Sequence, residues 1–262
     1  VRCHTVYFTT DQYLYREEMH EQHYRLLQSD AMHVLVTGGT GLVGRAVARQ
    51  VEANTAQGVQ WTFISSLDCN LLDGEAVTQL FKKLKPTHVL HLAAHVGGLY
   101  ANMADNAGFW RRNVLMNQYV LDACVEVGVE AFIGCLSTCI FPNEVTYPIG
   151  EADIHSGAPH PSNEGYSYAK RMLDVACRLY SAQYPGVFST VVPTNVYGKH
   201  DNFNLTAGHV IPGLIHKCYC AKQEQGPFTV WGNGMPVRQF IYADDLARLL
   251  VWAIAEYRDP HP

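Results

Sequence analysis

From residue 33 onward, short runs of consecutive apolar residues alternate with longer stretches in which apolar positions recur every three or four residues. The runs "HVLVT" (33–37), "WTFIS" (61–65), "THVLHLAA" (87–94), "AFIGCLS" (131–137) and "FSTVVPTNVYG" (188–198) predict strands, the last passing into a loop. Between them the spacing predicts helices from about Gly41 to Glu52, over "GEAVTQLFKKL" (74–84), over a long region from about Ala101 to Val127, and over "YSYAKRMLDVACRLYSAQY" (166–184). In the second of these Ala76, Val77, Leu80, Phe81 and Leu84 share one side. Strands that are apolar throughout are covered on both faces, and strict alternation with helices makes neighbouring strands parallel. The expected fold class is therefore α/β, a doubly wound parallel sheet. After Gly198 the rhythm breaks. "GHVIPGLIHKCYCAK" predicts a helix outside the main sheet, and "FTVWGNGMPVRQFIYADDLARLLVWAIAEY" predicts two short strands and then a helix, as at the start of a smaller second lobe.

Composition narrows the classes. The 262 residues are 48% hydrophobic and 16% charged, enough for one large core or one and a half. A net charge of −5 with no basic run gives no footprint for nucleic acid, and no stretch approaches the ~20 apolar residues that span a bilayer. Residues 1–31 are polar, rich in His, Tyr and Glu, and weakly periodic; they lack the apolar centre and cleavage site of a signal peptide. They read as a poorly ordered or loosely packed extension, with Met32 a candidate start. Eight cysteines, Cys3 among them, are scattered with no CxxC pair, which reads as reduced thiols in a cytoplasmic protein.

"VTGGTGLVG" follows the first strand and opens a helix. Gly38, Gly41 and Gly44 are spaced as the dinucleotide fold requires: one for the tight turn, one for close approach of backbone to a pyrophosphate, one for helix–strand packing. Helix N-terminal N–H groups then meet the phosphates. The spacing GxxGxxG resembles that of the short-chain dehydrogenase/reductase superfamily. An acid that would hold an NAD ribose belongs at the end of the second strand; "ISSLDCNLLD" has Ser65 and Ser66 there and no acid before Asp68, which favours NADP. No Arg or Lys stands at that tip, and Arg45, just past Gly44, is a substitute partner for a 2′-phosphate.

"GYSYAK" places Tyr166 and Lys170 at i and i+4, on one side of a helix. An ammonium one turn away favours a phenolate, so the expectation is a tyrosine whose pKa is lowered toward neutrality. Ser137 lies at the C-terminal end of a predicted parallel strand, where open α/β sheets place ligands. A cofactor loop, a serine and YxxxK in that order form a carbonyl-reducing set that needs no metal. It also needs no thiol, yet "LSTC" puts Cys139 two residues after Ser137. A thiol there suits a second step, in which a proton leaves carbon next to a carbonyl and an acid on the opposite face returns it, inverting the centre. "AGHVIPGLIHK" offers His209 and His216 as that acid.

The blocks "LSTCIFP", "HLAAHVGGLYANM", "GYSYAKRM", "VPTNVYGKHDNFN", "GHVIPGLIHK" and "VWGNGMPVRQFIYADDLA" together resemble the GDP-L-fucose synthase family, extended short-chain dehydrogenase/reductases that epimerise C3 and C5 of GDP-4-keto-6-deoxy-D-mannose and then reduce C4 with NADPH. The resemblance begins near Met32. It implies that Ser137, Cys139, Tyr166 and Lys170 are catalytic, and that the family's histidine falls on His209 rather than His216. It implies a cofactor site for NADP(H) formed by Gly38, Gly39, Thr40, Gly41, Leu42, Val43, Gly44, Ala93, Ala94, Tyr166, Lys170, Pro193, Thr194, Asn195, Val196 and His209. The GDP-sugar substrate would be held by Asn195, Lys217, Trp231 and Arg238, two cations for a diphosphate and an aromatic face for a base. A homodimer is expected by the same analogy.

The organisation expected is an extension (1–31), an NADP-binding Rossmann domain with the Ser/Tyr/Lys set (32–198), and a partial substrate-binding lobe (199–262). Family members continue several tens of residues beyond "EYRDPHP", so the chain is expected to bind cofactor and turn over poorly. Two alternatives remain at this point: another nucleotide-sugar 4-epimerase or dehydratase, which would not call for Cys139 with His209, and a shortened cofactor-binding protein without turnover.

Overall fold

A computed structural model of the chain describes residues 32–54, 58–205, 208–235 and 237–262. The expectation for residues 1–31, with Cys3, falls outside them.

Five parallel strands form the main sheet: β1 (Met32–Thr37), β2 (Val59–Ile64), β3 (His88–His91), β4 (Ala131–Cys135) and β5 (Val187–Val191), in the order β2-β1-β3-β4-β5. Helices α1 (Leu42–Ala53) and α2 (Gly74–Leu84) follow β1 and β2; α3 (Leu99–Ala104) and α4 (Asn106–Val127) follow β3, and α5 (Glu164–Gln183) precedes β5. Local chemistry sets several ends. Asp73 caps α2 by accepting from the N–H groups of Glu75 and Ala76. Gly128 at φ 75° stops α4 in the left-handed region that glycine enters without strain.

Alternation along the strands sends side chains to two cores. Leu35, Val89 and Phe132 face one way, onto Val77 and Phe81 of α2, Val120 and Leu121 of α4, and Leu173 and Cys177 of α5. Val34, Val36, Leu90 and Ile133 face the other way, onto Ala46 and Val47 of α1. The sheet is doubly wound, as the apolar runs predict.

Three expectations require correction. The long helix of 101–127 is two helices, because Asp105 ends α3 and accepts from the N–H of Gly108 as the cap of α4. The strand over 188–198 breaks after Val191, and its end becomes β6 (Asn195–Tyr197), which pairs in parallel with β7 (Phe240–Tyr242) in a separate two-stranded sheet. The run "FTVW" is not a strand: Phe228, Val230 and Trp231 are exposed, and no described strand lies beside them to complete a ladder.

The boundary at 199 also shifts. Helix α6 (Val210–Gln223) stands off the main sheet as expected. The last helix, α7 (Ala243–Glu256), does not: Ala243, Leu246, Ala247, Leu250, Val251 and Ile254 complete the second core beside α1, and Arg49 of α1 pairs with Asp244 at 2.5 Å. It belongs to the layer that covers the Rossmann sheet.

Candidate active site

The glycine loop is a close-packed corner. A Cβ on Gly38 would lie 2.8 Å from the backbone nitrogen of Ala93, so β1 and the end of β3 approach there only because residue 38 has no side chain. Gly38 also takes φ 71°. A Cβ on Gly44 would run into the Gly38 carbonyl and the Gly39 backbone, which is what lets α1 begin against the turn. The N–H groups of the first turn of α1 face no intrahelical acceptors, and no acidic side chain sits in that turn, so the corner presents free donors of the kind that bind an anion. Thr40 is exposed at the turn, and the side chains of Leu42 and Val43 pack toward the second core, leaving their backbone for the cofactor.

A buried chain of hydrogen bonds holds this corner. Ala93 N–H donates to Thr37 Oγ1 at 3.2 Å, and Thr37 Oγ1 lies 2.8 Å from His91 Nδ1. His91 Nε2 lies 3.1 Å from Asn117 Oδ1. Asn117 Oδ1 can only accept, so the neutral His91 ring carries its proton on Nε2, and its Nδ1 accepts from the Thr37 hydroxyl. Burial, with the Lys170 charge nearby, pulls the His91 pKa down to about 3, so the ring is neutral. Nothing in the apolar pattern of β3 marks this residue as a brace.

At the tip of β2 the turn closes on itself. Asp68 accepts from both the N–H and the hydroxyl of Ser65, each at 2.8 Å, and these bonds hold its carboxyl below the usual range. Both bonds fall on Oδ2, so one carboxylate oxygen of Asp68 closes its own turn. Arg45 donates from Nε to the Thr40 carbonyl at 2.8 Å, which lays the guanidinium along the glycine loop.

Ser137, Cys139, Tyr166 and Lys170 come together between the end of β4 and the first turns of α5. Ser137 precedes a 3₁₀ turn, Thr138–Ile140, and its hydroxyl is 3.5 Å from the Cys139 N–H. Lys170 is buried, donates to the Cys135 carbonyl at 2.6 Å, and lies 5.9 Å from the centre of the Tyr166 ring. Cys139 is half-buried and in electrostatic contact with both Tyr166 and Lys170. The expected lowering of the tyrosine is reversed here. Burial pushes the Tyr166 phenol up, and the Cys139 and Cys135 thiols add to this. Burial also pulls Lys170 down, and its ammonium is directed to a carbonyl rather than to the phenol oxygen.

The remaining candidates lie on other elements. His209 stands just before α6, largely exposed, with Nδ1 3.7 Å from Oδ1 of Asp201. Asp201 is buried, and its Oδ2 has no partner among the described residues. His216 is engaged elsewhere, its Nδ1 2.6 Å from the Phe203 carbonyl. Asp201, within "GKHDNFN", was not singled out by its sequence, since an acid in a polar loop looks like any other. Asn195 is tied to β7, its N–H and Nδ2 both on the Gln239 carbonyl at 3.2 and 2.9 Å. Pro193 and Thr194 are half-buried ahead of it, Val196 packs on the second core, and Ala94 is half-buried beside Ala93. Lys217 sits 4.4 Å over the ring of Trp231, while Arg238 donates to the adjacent Val237 carbonyl at 2.8 Å.

Comparison with known proteins decides the family. The sequence profile of the NAD dependent epimerase/dehydratase family matches residues 34–262. A GDP-L-fucose synthase of Dictyostelium discoideum is 52% identical over 229 residues, 87% of this chain and 72% of that protein. The chain belongs to the NAD dependent epimerase/dehydratase family, and to the GDP-L-fucose synthases within it. A probable GDP-L-fucose synthase of Drosophila melanogaster is 47% identical over 87% of the chain and 74% of its own length. The crystal structure of a GDP-L-fucose synthetase from Naegleria fowleri bound to NADP superposes with a TM-score of 0.84 at 47% identity, covering 89% of this chain and 76% of that one. Among the described residues, no helix is long and apolar enough to cross a membrane.

Proposed function

We propose that this chain converts GDP-4-keto-6-deoxy-D-mannose to GDP-L-fucose, inverting C3 and C5 and then reducing C4. The observation that carries the reading is a half-buried thiol, Cys139, on the 3₁₀ turn that packs against the helix bearing Tyr166 and Lys170. A reductase alone has no use for it, and a 4-epimerase or dehydratase would not pair it with a histidine.

The residues divide the chemistry among them. Cys139 takes the proton from the carbon next to the C4 carbonyl, and His209, oriented by buried Asp201, delivers a proton to the opposite face. Ser137 donates to the C4 oxygen. Tyr166 gives that oxygen its proton, and its raised pKa keeps the phenol protonated until negative charge develops there. Lys170 fixes the end of β4 through the Cys135 carbonyl. NADPH, when bound, supplies the hydride. The glycine corner, with Ala93 and Ala94, would hold its diphosphate, and Arg45 its 2′-phosphate. Trp231 and Lys217 would take the guanine and diphosphate of the substrate, with Arg238 beside them.

The chain is also proposed to form a homodimer through α4 and α5. Trp110, Met172 and Leu179 are exposed on these helices, and Trp110, Tyr168 and Met172 line a recess of about 420 Å³ between them. Sedimentation analysis reads this directly.

Supplying the keto-sugar in deuterium oxide without NADPH tests the main reading. Deuterium entering C3 and C5, lost in Cys139→Ser, supports it. Reduction of C4 upon NADPH addition with no exchange at C3 or C5 would make the protein a reductase only.

A further inference from the structure

Two adjacent cations of α5 grip the two ends of the segment that carries Ser137 and Cys139. Lys170 holds the Cys135 carbonyl at 2.6 Å. Arg171, the next residue, leaves the helix in another direction and donates from Nε to the Ile140 carbonyl at 2.6 Å and from Nη1 to the Gly157 carbonyl at 2.8 Å. Arg171 is 3% exposed, and its Nη2 has no partner among the described residues. The face of Tyr168 lies 5.3 Å from its guanidinium carbon.

A buried guanidinium with an unpaired N–H₂ group is a costly way to close a loop, because an unsatisfied charged donor loses its hydration and gains no bond in exchange. Two neutral donors would bond the Ile140 and Gly157 carbonyls at less cost. The carbonyl it holds most closely belongs to the residue after Cys139. The 3₁₀ turn that carries Cys139 packs against the helix that carries both Lys170 and Arg171.

We infer that Arg171 is a positioning residue for Cys139, fixing the 3₁₀ turn so that the thiol addresses the carbon to be inverted. The inference rests on the proposal that Cys139 moves protons on carbon. It assigns the two cations different halves of the reaction. Lys170 fixes the end of β4, whereas Arg171 serves the thiol.

The test uses Arg171→Lys and Arg171→Met beside Cys139→Ser and wild type. Lysine keeps a buried cation but cannot span two carbonyls; methionine keeps volume alone. Misplacing a reacting group by about an ångström costs up to about a hundredfold. Deuterium exchange at C3 and C5 should therefore fall at least about tenfold in Arg171→Lys and further in Arg171→Met, in kcat rather than in KM for the keto-sugar. NADPH affinity should stay within about twofold of wild type, since the glycine corner is untouched. If Arg171→Met does not fold, Arg171→Lys decides alone. Exchange at the wild-type rate in Arg171→Lys, with Cys139→Ser inactive, overturns the positioning role and leaves the thiol's role standing. An equal fall in exchange and NADPH affinity overturns it as well, because that marks a role in folding only. Exchange at the wild-type rate in Cys139→Ser removes the proposal on which the inference rests.

Discussion

At the scale of single residues, the site divides into atoms that move protons on carbon and atoms that move a proton on oxygen. Replacing Cys139 by Ser keeps the size and a hydrogen-bonding group but removes a usable base. Exchange at C3 and C5 should fall by roughly a hundredfold or more, the scale of a lost general base, while NADPH binds as in wild type. Mass spectrometry of the keto-sugar reads the first and fluorescence titration the second; unchanged exchange would reduce the thiol to packing. The histidine gives a different signature. His209→Gln should block inversion while permitting exchange with retention, because Cys139 can return a proton to the face it came from. Asp201→Asn should reproduce this in weaker form, since Asp201 only orients His209 across 3.7 Å. Product stereochemistry by NMR distinguishes the two outcomes. The residue types were legible in the sequence, because "LSTC" and "GYSYAK" carry their chemistry in their letters. Their environment was not. The i, i+4 spacing puts Lys170 on the side of Tyr166, but it cannot say that Lys170 is buried, that the Tyr166 phenol is desolvated, or that the ammonium is turned to the Cys135 carbonyl. That difference reversed the direction of the tyrosine's shift.

At the scale of elements, β3 has a property that its apolar run conceals. It begins and ends with buried histidines. Burial, with the Arg258 charge, pulls His88 down to about 4, and burial, with the Lys170 charge, pulls His91 down to about 3. Both lie below the ordinary value near 6.5. Below pH 6.5 the unfolded chain therefore binds protons that the folded chain refuses until pH 3–4. The stability these groups contribute is complete above about pH 6.5 and is lost as pH falls. Each contributes a slope of up to about 1.4 kcal/mol per pH unit in that window. His91→Gln cannot titrate, so its melting temperature should fall less steeply between pH 6.5 and 4 than that of wild type. Parallel curves by calorimetry would show that His91 charges freely in the folded protein. The elements themselves were legible where a segment's own pattern decides its state, as in α2, whose apolar face and Asp73 cap are both local. They were illegible where a partner decides. "FTVW" has the composition of a strand and no described neighbour to pair with. The helix 243–256 was assigned to a second lobe because it follows a break in the rhythm, yet its apolar face closes the core against α1.

At the scale of the whole molecule, the proposed function needs parts from distant stretches to meet at one edge of the sheet. The diphosphate corner comes from β1 and the end of β3, the hydroxyl and thiol from the end of β4, the phenol and cations from α5, and the histidine from the start of α6. The cofactor would touch several of these at once, so its binding should be read in the stability of the entire fold. A ligand at a hundred times its Kd adds about 2.7 kcal/mol. For a chain of this size that corresponds to a rise of roughly 5–10 °C in melting temperature. NADPH should produce this rise and NADH a smaller one at equal concentration. The reason lies in two side chains: Asp68 already holds both Ser65 donors on its Oδ2, whereas Arg45 lies along the glycine loop with donors to spare for the 2′-phosphate that NADH lacks. Arg45→Gln should therefore weaken NADPH about tenfold, the factor of about 1.4 kcal/mol, and leave NADH nearly unchanged. Differential scanning fluorimetry with both cofactors on both proteins gives four shifts. Equal shifts for NADPH and NADH in wild type would refute the preference, and an unchanged NADPH shift in Arg45→Gln would place the 2′-phosphate elsewhere.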